Sequence, residues 1–359
     1  MIKKHEKATR LGAAATALVA LITAAAVAGC GGSSDTATAG TGAGKSKAAS
    51  APDVQLNLVA YSTPKAAYAA LIPAFQQTEA GQGVTFSESF GASGAQSRAV
   101  DAGQPADVVA FSTEPDVARL VKDGLVASSW DGGQTKGIVA DSVVAIVVRK
   151  GNPKHITGWD DLVRPGIKVI TPNPSTSGSA RWNILAAYGA ELKEGRSPAQ
   201  ALAFVKTLLT KNTVDQPSSA SSALQAFTSG EGDVLLDYES DAIAAERAGD
   251  RIQYIVPKQT ILIQTPIAVT AKSSHVKQAT AFVSWLLSPQ AQTIWARQGY
   301  RPVLSSVLAK FSAQFPTPAD LFTIDSLGGW KKVKAQFFDP ATGQITKIEQ
   351  AAGVPTASS

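Results

Sequence analysis

From Val54 onward the chain alternates short apolar extended runs with helical ones, and that order dictates the class of fold. Val54 to Tyr61 alternates as a strand, and Pro64 to Gln76 carries a helical pattern. Gly83 to Ser89 is a second strand, followed by a helical run that ends at Ala102. Ala106 to Phe111 reads as a buried strand and Pro115 to Asp123 as a helix. A β-α-β-α order implies a mainly parallel sheet with helices laid on its faces. Val143 to Val148 is then a strongly apolar strand, closed by Arg149-Lys-Gly-Asn-Pro153. A second series follows: helix Asp160–Val163, strand Lys168–Ile170, a helix from Arg181, helix Ala199–Leu209, extended Thr213–Val214, helix Ala220–Ser229 and strand Asp233–Asp237. Thr260 to Val269 is extended again and resembles Val143–Val148 in character.

A chain of 359 residues is too long for one average domain and comfortable for two. The expectation is an α/β protein of two lobes, each a mainly parallel or mixed sheet flanked by helices. The two apolar extended runs are expected to be paired hinge strands. The boundaries follow: residues 53–146 for the first part of lobe 1, 147–260 for lobe 2, and 261–348 for a return to lobe 1. That return includes helix Gln278–Gln298 and a Pro/Gly-rich C-terminal extension, with residues 349–359 as a tail.

Residues 1–29 read as a targeting segment. The formal net charge of +5 misleads here, because Lys3, Lys4, Lys7 and Arg10 against Glu6 place much of it in the first ten residues. Leu11 to Gly29 carries no charge and is rich in Ala, Leu and Val, and it ends in Val27-Ala-Gly-Cys30. Small residues before a cysteine resemble a lipoprotein signal peptide, with cleavage before Cys30 and lipidation of its thiol. The alternative is a single-pass anchor, since the apolar run is near the lower limit for spanning. Cys30 is the only cysteine, so no intrachain disulfide can form. Residues 30–52 are rich in Gly, Ser, Ala and Thr and read as a flexible tether. Either way the body is expected on the outer side of a membrane.

Thr171-Pro-Asn-Pro-Ser-Thr-Ser-Gly-Ser-Ala-Arg-Trp-Asn183 joins a strand end to a helix start. Pro172 and Pro174 forbid strand pairing and helix, and small hydroxyl residues follow. The first amides of a helix lack backbone partners and sit at the positive end of its dipole. Ser177, Gly178 and Ser179 therefore form a candidate anion socket; the plainer alternative is an ordinary N-cap. Gly91-Ala-Ser-Gly94 also follows a strand and opens a helix, so two such loops facing across a cleft would surround one small anion. In open α/β sheets ligands sit beyond the carboxyl ends of strands, where loops meet helix starts.

Other classes find little support. No basic run interleaved with aromatics suggests nucleic acid as a partner. His155 and His275 have no carboxylate or cysteine partners at metal spacing, and His5 lies in the targeting segment. Gly91-Ala-Ser-Gly-Ala95 is not a nucleophile elbow, and no phosphate-binding Gly-x-x-x-x-Gly-Lys-Ser/Thr occurs. No catalytic residue, metal or cofactor is expected.

Further runs carry a resemblance: Tyr61, Gly91-Ala-Ser-Gly94, Val148-Arg-Lys-Gly-Asn-Pro153, Val169-Ile-Thr-Pro-Asn-Pro174, Ser177-Gly-Ser-Ala-Arg-Trp-Asn183, Gly232-Asp-Val-Leu235, Tyr300-Arg-Pro302, Leu321-Phe-Thr-Ile-Asp325 and Gly328-Gly-Trp330. From about Val54 to about Ile348 the chain resembles the sulfate- and thiosulfate-binding proteins that serve ABC importers. The resemblance implies the two-lobe substrate-binding protein fold, an ABC permease and its ATPase subunits as partners, and a desolvated sulfate held by neutral donors. By position it places donors at Ser93, the Ser177 hydroxyl, the amides of Gly178 and Ser179, and an amide at Ser219, with Ser218 and Ala220 as alternatives. The family's indole donor falls on Tyr238, whose phenol can also accept a hydrogen bond. A packing role for the Tyr238 ring is the alternative. Ser179 replaces a common glycine, and Tyr61-Ser62 replaces a common Tyr-Asp pair. Tyr61, Ser62 and Arg181 are expected at the rim or behind the donors. Strand alternation predicts that Asp237 and Glu239 face away from Tyr238. The same trap serves molybdate, phosphate or organic sulfonates, so fold alone leaves these open. A phosphate site would need a carboxylate near Ser93 or Ser177, and neither loop supplies one.

Overall fold

The structure is a computed structural model in which residues 54–356 are described; the targeting segment, Cys30 and the tether lie outside them. In chain order the strands are β1 (Val54–Tyr61), β2 (Val84–Gly91), β3 (Val108–Ala110), β4 (Ile138–Arg149), β5 (Val169–Ile170), β6 (Thr213–Asp215), β7 (Val234–Tyr238), β8 (Ile252–Ile255) and β9 (Leu262–Val269). The helices are α1 (Lys65–Gln76), α2 (Ser93–Asp101), α3 (Glu114–Lys122), α4 (Gly178–Lys193), α5 (Pro198–Thr207), α6 (Ala220–Thr228), α7 (Glu239–Ala248), α8 (Val276–Leu286), α9 (Pro289–Arg297), α10 (Ser305–Leu308), α11 (Gly329–Val333) and α12 (Gln344–Ala351). The strands lie in the order β2-β1-β3-β9-β4-β7-β5-β6, with β8 also beside β4.

The parallel pairs β1–β2 and β1–β3 carry the first crossovers, through α1 and α2. β5 pairs in parallel with both β6 and β7. β4 and β9 are antiparallel to each other and join the two halves of the sheet. The pairing lies at Ile138–Val143, whereas Val144–Val148 pairs with β7 inside the second half. The crossing segment is therefore N-terminal to the apolar run that announced it. The run is most apolar because both its faces are buried, as in central strands of covered sheets.

Each half has its own core. Leu56, Leu58, Tyr68, Phe75, Phe282 and Trp295 pack beneath the first. Val144, Val169, Trp182, Leu185, Val205 and Leu236 form the centre of the second. α8 and α9 form from one predicted helix because Pro289 cannot continue the first and instead opens the next, after Ser288 caps it. They pack on the first half, as expected. The chain end does not: Trp330, Val333, Phe337 and Ile345 join the second core, with Trp330 edge-on to Trp182 at 4.7 Å. Two of those aromatics meet α4 edge-on, Trp330 against Trp182 and Phe337 against Tyr188. α7 and β8, which the sequence pattern did not announce, complete the second half.

Candidate functional site

Three helices begin at one small cavity. Ser93 is the first residue of α2, Gly178 of α4 and Ala220 of α6. The cavity is lined by Tyr61, Ser62, Thr63, Ala92, Ser93, Ser112, Ser177, Ser179 and Ala220. None of these side chains ionises near neutral pH: the serines, threonine and alanines carry no titratable group, and the Tyr61 phenol is held protonated, its pKa raised by burial and then by Asp241. The lining is therefore neutral. α2 and α4 have no side-chain cap, so helix-start amides there lack intrahelical partners, apart from that of Gly94, which the Thr176 carbonyl takes. Three positive dipole ends meet there without a fixed cation.

Several buried hydroxyls around the cavity lack a well-formed hydrogen bond: Thr63 Oγ1, which faces Asp241, Ser112 Oγ and Tyr238 Oη, which face each other, and Ser179 Oγ. A buried hydroxyl without a partner costs about 1–3 kcal/mol, so a cluster of them marks a place built for a ligand. Thr63 and Ser112 belong to the first half, and Ser179 and Tyr238 to the second. Neither Thr63 nor Ser112 carried a sequence signal, since each stands in a short turn after a strand outside any glycine-rich run.

The expected donors are placed as follows. Ser177 is buried and lines the cavity, and its hydroxyl does not cap α4. At Gly178 the halves approach closely: a Cβ there would run into Ser112 Oγ and lie 2.8 Å from Thr113 Cγ2. Ser179 is buried, with its hydroxyl free, and its amide belongs to the first turn of α4. Ser93 differs from expectation. Its hydroxyl donates to Asp116 Oδ2 at 2.6 Å and accepts from the Ser112 amide at 3.0 Å, so only its own amide remains for a ligand. The carboxylate comes from α3, not from either loop. At Ser219, where an amide donor was expected, the hydroxyl caps α6 by accepting from the Ser222 amide, and Ala220, the alternative position, lines the cavity.

Tyr238 is fully buried, stands 6.4 Å from the Tyr61 ring, and does not line the cavity directly. Burial and then the Tyr61 phenol push its pKa well above the ordinary value, so it remains an O–H donor. Glu239 is turned away and bound to Arg301, at 2.7 and 3.0 Å. Asp237 accepts from the Tyr238 amide at 2.9 Å and is buried beside Asp241. Tyr61, Ser62 and Thr63 line one wall. Arg181 lies outside the cavity: its Nε donates to the Pro174 carbonyl, and its Nη1 stands 4.0 Å from Asp116.

The halves are tied together at the site. Trp182 Nε1 donates to the Ser112 carbonyl at 2.7 Å, and the Gly94 amide donates to the Thr176 carbonyl at 3.1 Å. What the arrangement offers is a small, closed, donor-rich pocket between two half-sheets. Residues 56–301 match the model of a family described as bacterial extracellular solute-binding protein.

The chain belongs to that family.

Within it, the chain is 41% identical to the sulfate-binding protein of Synechococcus elongatus, over 84% of this chain and 88% of the relative. It is 34% identical to the thiosulfate-binding protein of Pseudomonas aeruginosa, over 81% and 91%. Among solved structures, the sulfate-binding protein SubI from Mycobacterium tuberculosis H37Rv superposes with a TM-score of 0.78 at 51% identity. That match covers 80% of this chain and 100% of SubI. The resemblance read from the motifs and the two-lobe α/β class are thus borne out. Members of this solute-binding family are receptors, and this chain has their fold over nearly all of its described residues.

Proposed function

We propose that this protein is the extracytoplasmic receptor that captures sulfate, or thiosulfate, and delivers it to an ABC-type importer. The observation that carries the reading is the neutral cavity where three helix starts meet and buried hydroxyls lack well-formed hydrogen bonds. The amides of Ser93, Gly178, Ser179 and Ala220 supply donors at dipole ends. The hydroxyls of Ser112, Ser177, Ser179 and Thr63 supply more, and Tyr238 backs them from behind Tyr61.

Charge-assisted hydrogen bonds are each worth about 1.5–3 kcal/mol net, so a handful suffices for an anion without a buried lysine. Selectivity follows from the lack of a carboxylate acceptor in the lining. Sulfate carries no proton near neutral pH, whereas phosphate does, and a socket of donors leaves that proton facing another donor. Asp116 does not line the cavity, and its Oδ2 accepts the Ser93 and Thr113 hydroxyls.

The receptor is held to the outer face of the membrane by lipid on Cys30. It closes on the anion and presents the closed form to a permease driven by a separate ATPase; it catalyses no reaction itself. Titration calorimetry of the purified protein with sulfate, thiosulfate, molybdate and phosphate tests the reading. Saturable sulfate or thiosulfate binding with phosphate silent is expected. Binding of phosphate or molybdate alone would overturn it.

A further inference from the structure

A larger cavity of about 290 Å³ lies apart from the serine-lined one. Its walls come from α2 and α3 of one half, from Pro174, Ser175 and α4 of the other, and from the C-terminal segment around Phe338 and α12. Arg98, Arg119, Arg181 and Lys334 all line it. Among the described residues, Arg98, Arg119 and Lys334 have no ion-pair partner, and Arg181 reaches Asp116 only at 4.0 Å. Arg119 Nε is buried with no hydrogen-bond partner at all.

Three carboxylates share the walls; each has a hydrogen-bond partner, although Glu349 Oε1 is buried without one and burial raises the pKa of that carboxyl. Asp116 accepts the Ser93 and Thr113 hydroxyls. Asp339 accepts from the amides of Ala341 and Thr342. Glu349 accepts from Gln216 at 2.9 Å. Burial lowers the Arg98 pKa, and the neighbouring Arg119 and Arg181 guanidiniums add to the effect against Asp116. Arginine does not give up its proton in this range, so the shift records an electrostatic cost that an anion in the cavity would remove.

We infer that this cavity is a second binding site, for a compact polyanion larger than the solute of the serine cavity. Planar guanidiniums in a cluster suit the paired oxygens of phosphoryl or carboxylate groups. Phe338, Pro115 and Ile345 leave an apolar strip for a short carbon frame. Because both halves and the chain end contribute walls, an occupant would bridge them.

Pyrophosphate and citrate are the probes, titrated calorimetrically into the purified protein with and without saturating sulfate. The site is independent of which anion the serine cavity takes, and the two conditions keep the questions apart. Saturable binding of at least one probe is expected to survive saturating sulfate. Which probe binds separates phosphoryl from carboxylate chemistry. The double substitution Arg98→Ala/Arg119→Ala should weaken that binding roughly tenfold or more, for two lost charge-assisted contacts. Lys334→Ala, at an exposed position that tolerates change, should weaken it roughly threefold, in keeping with a single solvent-screened charge. Competitive displacement by sulfate would place the probes in the serine cavity and overturn the site. Undiminished binding in both variants, or no binding of either probe, would overturn it equally.

Discussion

The indole of Trp182 reaches across the interface and donates to the main-chain carbonyl of Ser112 at 2.7 Å. Trp182 is buried in the second half, braced by Trp330, while Ser112 follows β3 in the first. The bond therefore links closure of the halves to the position of Ser112, whose amide in turn donates to Ser93. Trp182→Phe keeps most of the packing and removes the donor. Sulfate affinity should fall by about 0.5–1.5 kcal/mol, the worth of one hydrogen bond, and the melting temperature should drop as well, because the smaller ring leaves a core cavity and the Ser112 carbonyl unpaired. Calorimetry and thermal unfolding of the same variant check both halves of that statement.

Gly178 tests closure more severely. Its backbone φ is not of the kind that needs glycine, and the reason for glycine is space against Ser112 and Thr113. Gly178→Ala should leave each half folded and hold the halves apart. A binding loss of about 1–3 kcal/mol is expected from the overpacking. Small-angle scattering with and without sulfate should show less compaction than in the parent. Full compaction with unchanged affinity would mean that Ser112 simply moves aside.

Much of this site was legible from the run Thr171 to Asn183, because prolines and small hydroxyl residues before a helix leave the helix amides uncovered. Its partner loop at Ser93 was legible for the same reason. The direction of the Ser93 hydroxyl was not, because Asp116 is 23 positions away and meets it only through packing of α2 on α3. Ser112 and Thr63 escaped because a lone hydroxyl after a strand has no pattern of its own. The fold was read well where apolar runs were long. It was misread at the chain end, where α11 and α12 are too short to show which core their aromatics enter.

Ser179 carries the plainest substitution test. Its hydroxyl is buried and unpartnered, and its amide belongs to the first turn of α4. Ser179→Gly removes the hydroxyl and keeps the amide. Sulfate affinity should drop by about 1–3 kcal/mol if the hydroxyl donates to the anion. Tyr238→Phe asks the same of the phenol, and an unchanged Kd there would reduce Tyr238 to a packing ring beside Tyr61.

Arg301 and Glu239 should matter to stability and not to the donors. Their two-pronged ion pair is almost wholly buried and ties the start of α7 to the segment after α9. Arg301→Met would strand the Glu239 carboxylate in a buried site, a change that typically costs about 3–5 kcal/mol. Chemical denaturation should show that loss. The double variant Arg301→Met/Glu239→Gln should recover part of it, because no unpaired charge remains.

The pair Asp237 and Asp241 sets the expected response to pH. Both are buried, and burial is the main cause that raises their pKa values, Asp241 to about 7 and Asp237 well above its ordinary range. Asp241 lies beside Thr63, which lines the serine cavity. Below neutrality the pair retains protons and presents little charge to an anion. As pH rises through about 7, ionisation of Asp241 places negative charge behind the donors. Sulfate does not titrate in that range, so its affinity should fall on the alkaline side, by roughly tenfold or about 1.4 kcal/mol for one pKa unit of coupling. Stability should move in the same direction. A carboxyl whose folded pKa exceeds its unfolded one binds more protons in the folded state, so stability declines as pH rises from the ordinary carboxylate range through the folded value. Asp141, which burial also raises to about 7, adds to that decline. Asp241→Asn should flatten the pH profile of sulfate affinity while Asp141 keeps part of the stability slope. An affinity profile as steep in the variant as in the parent would detach the acid pair from the site.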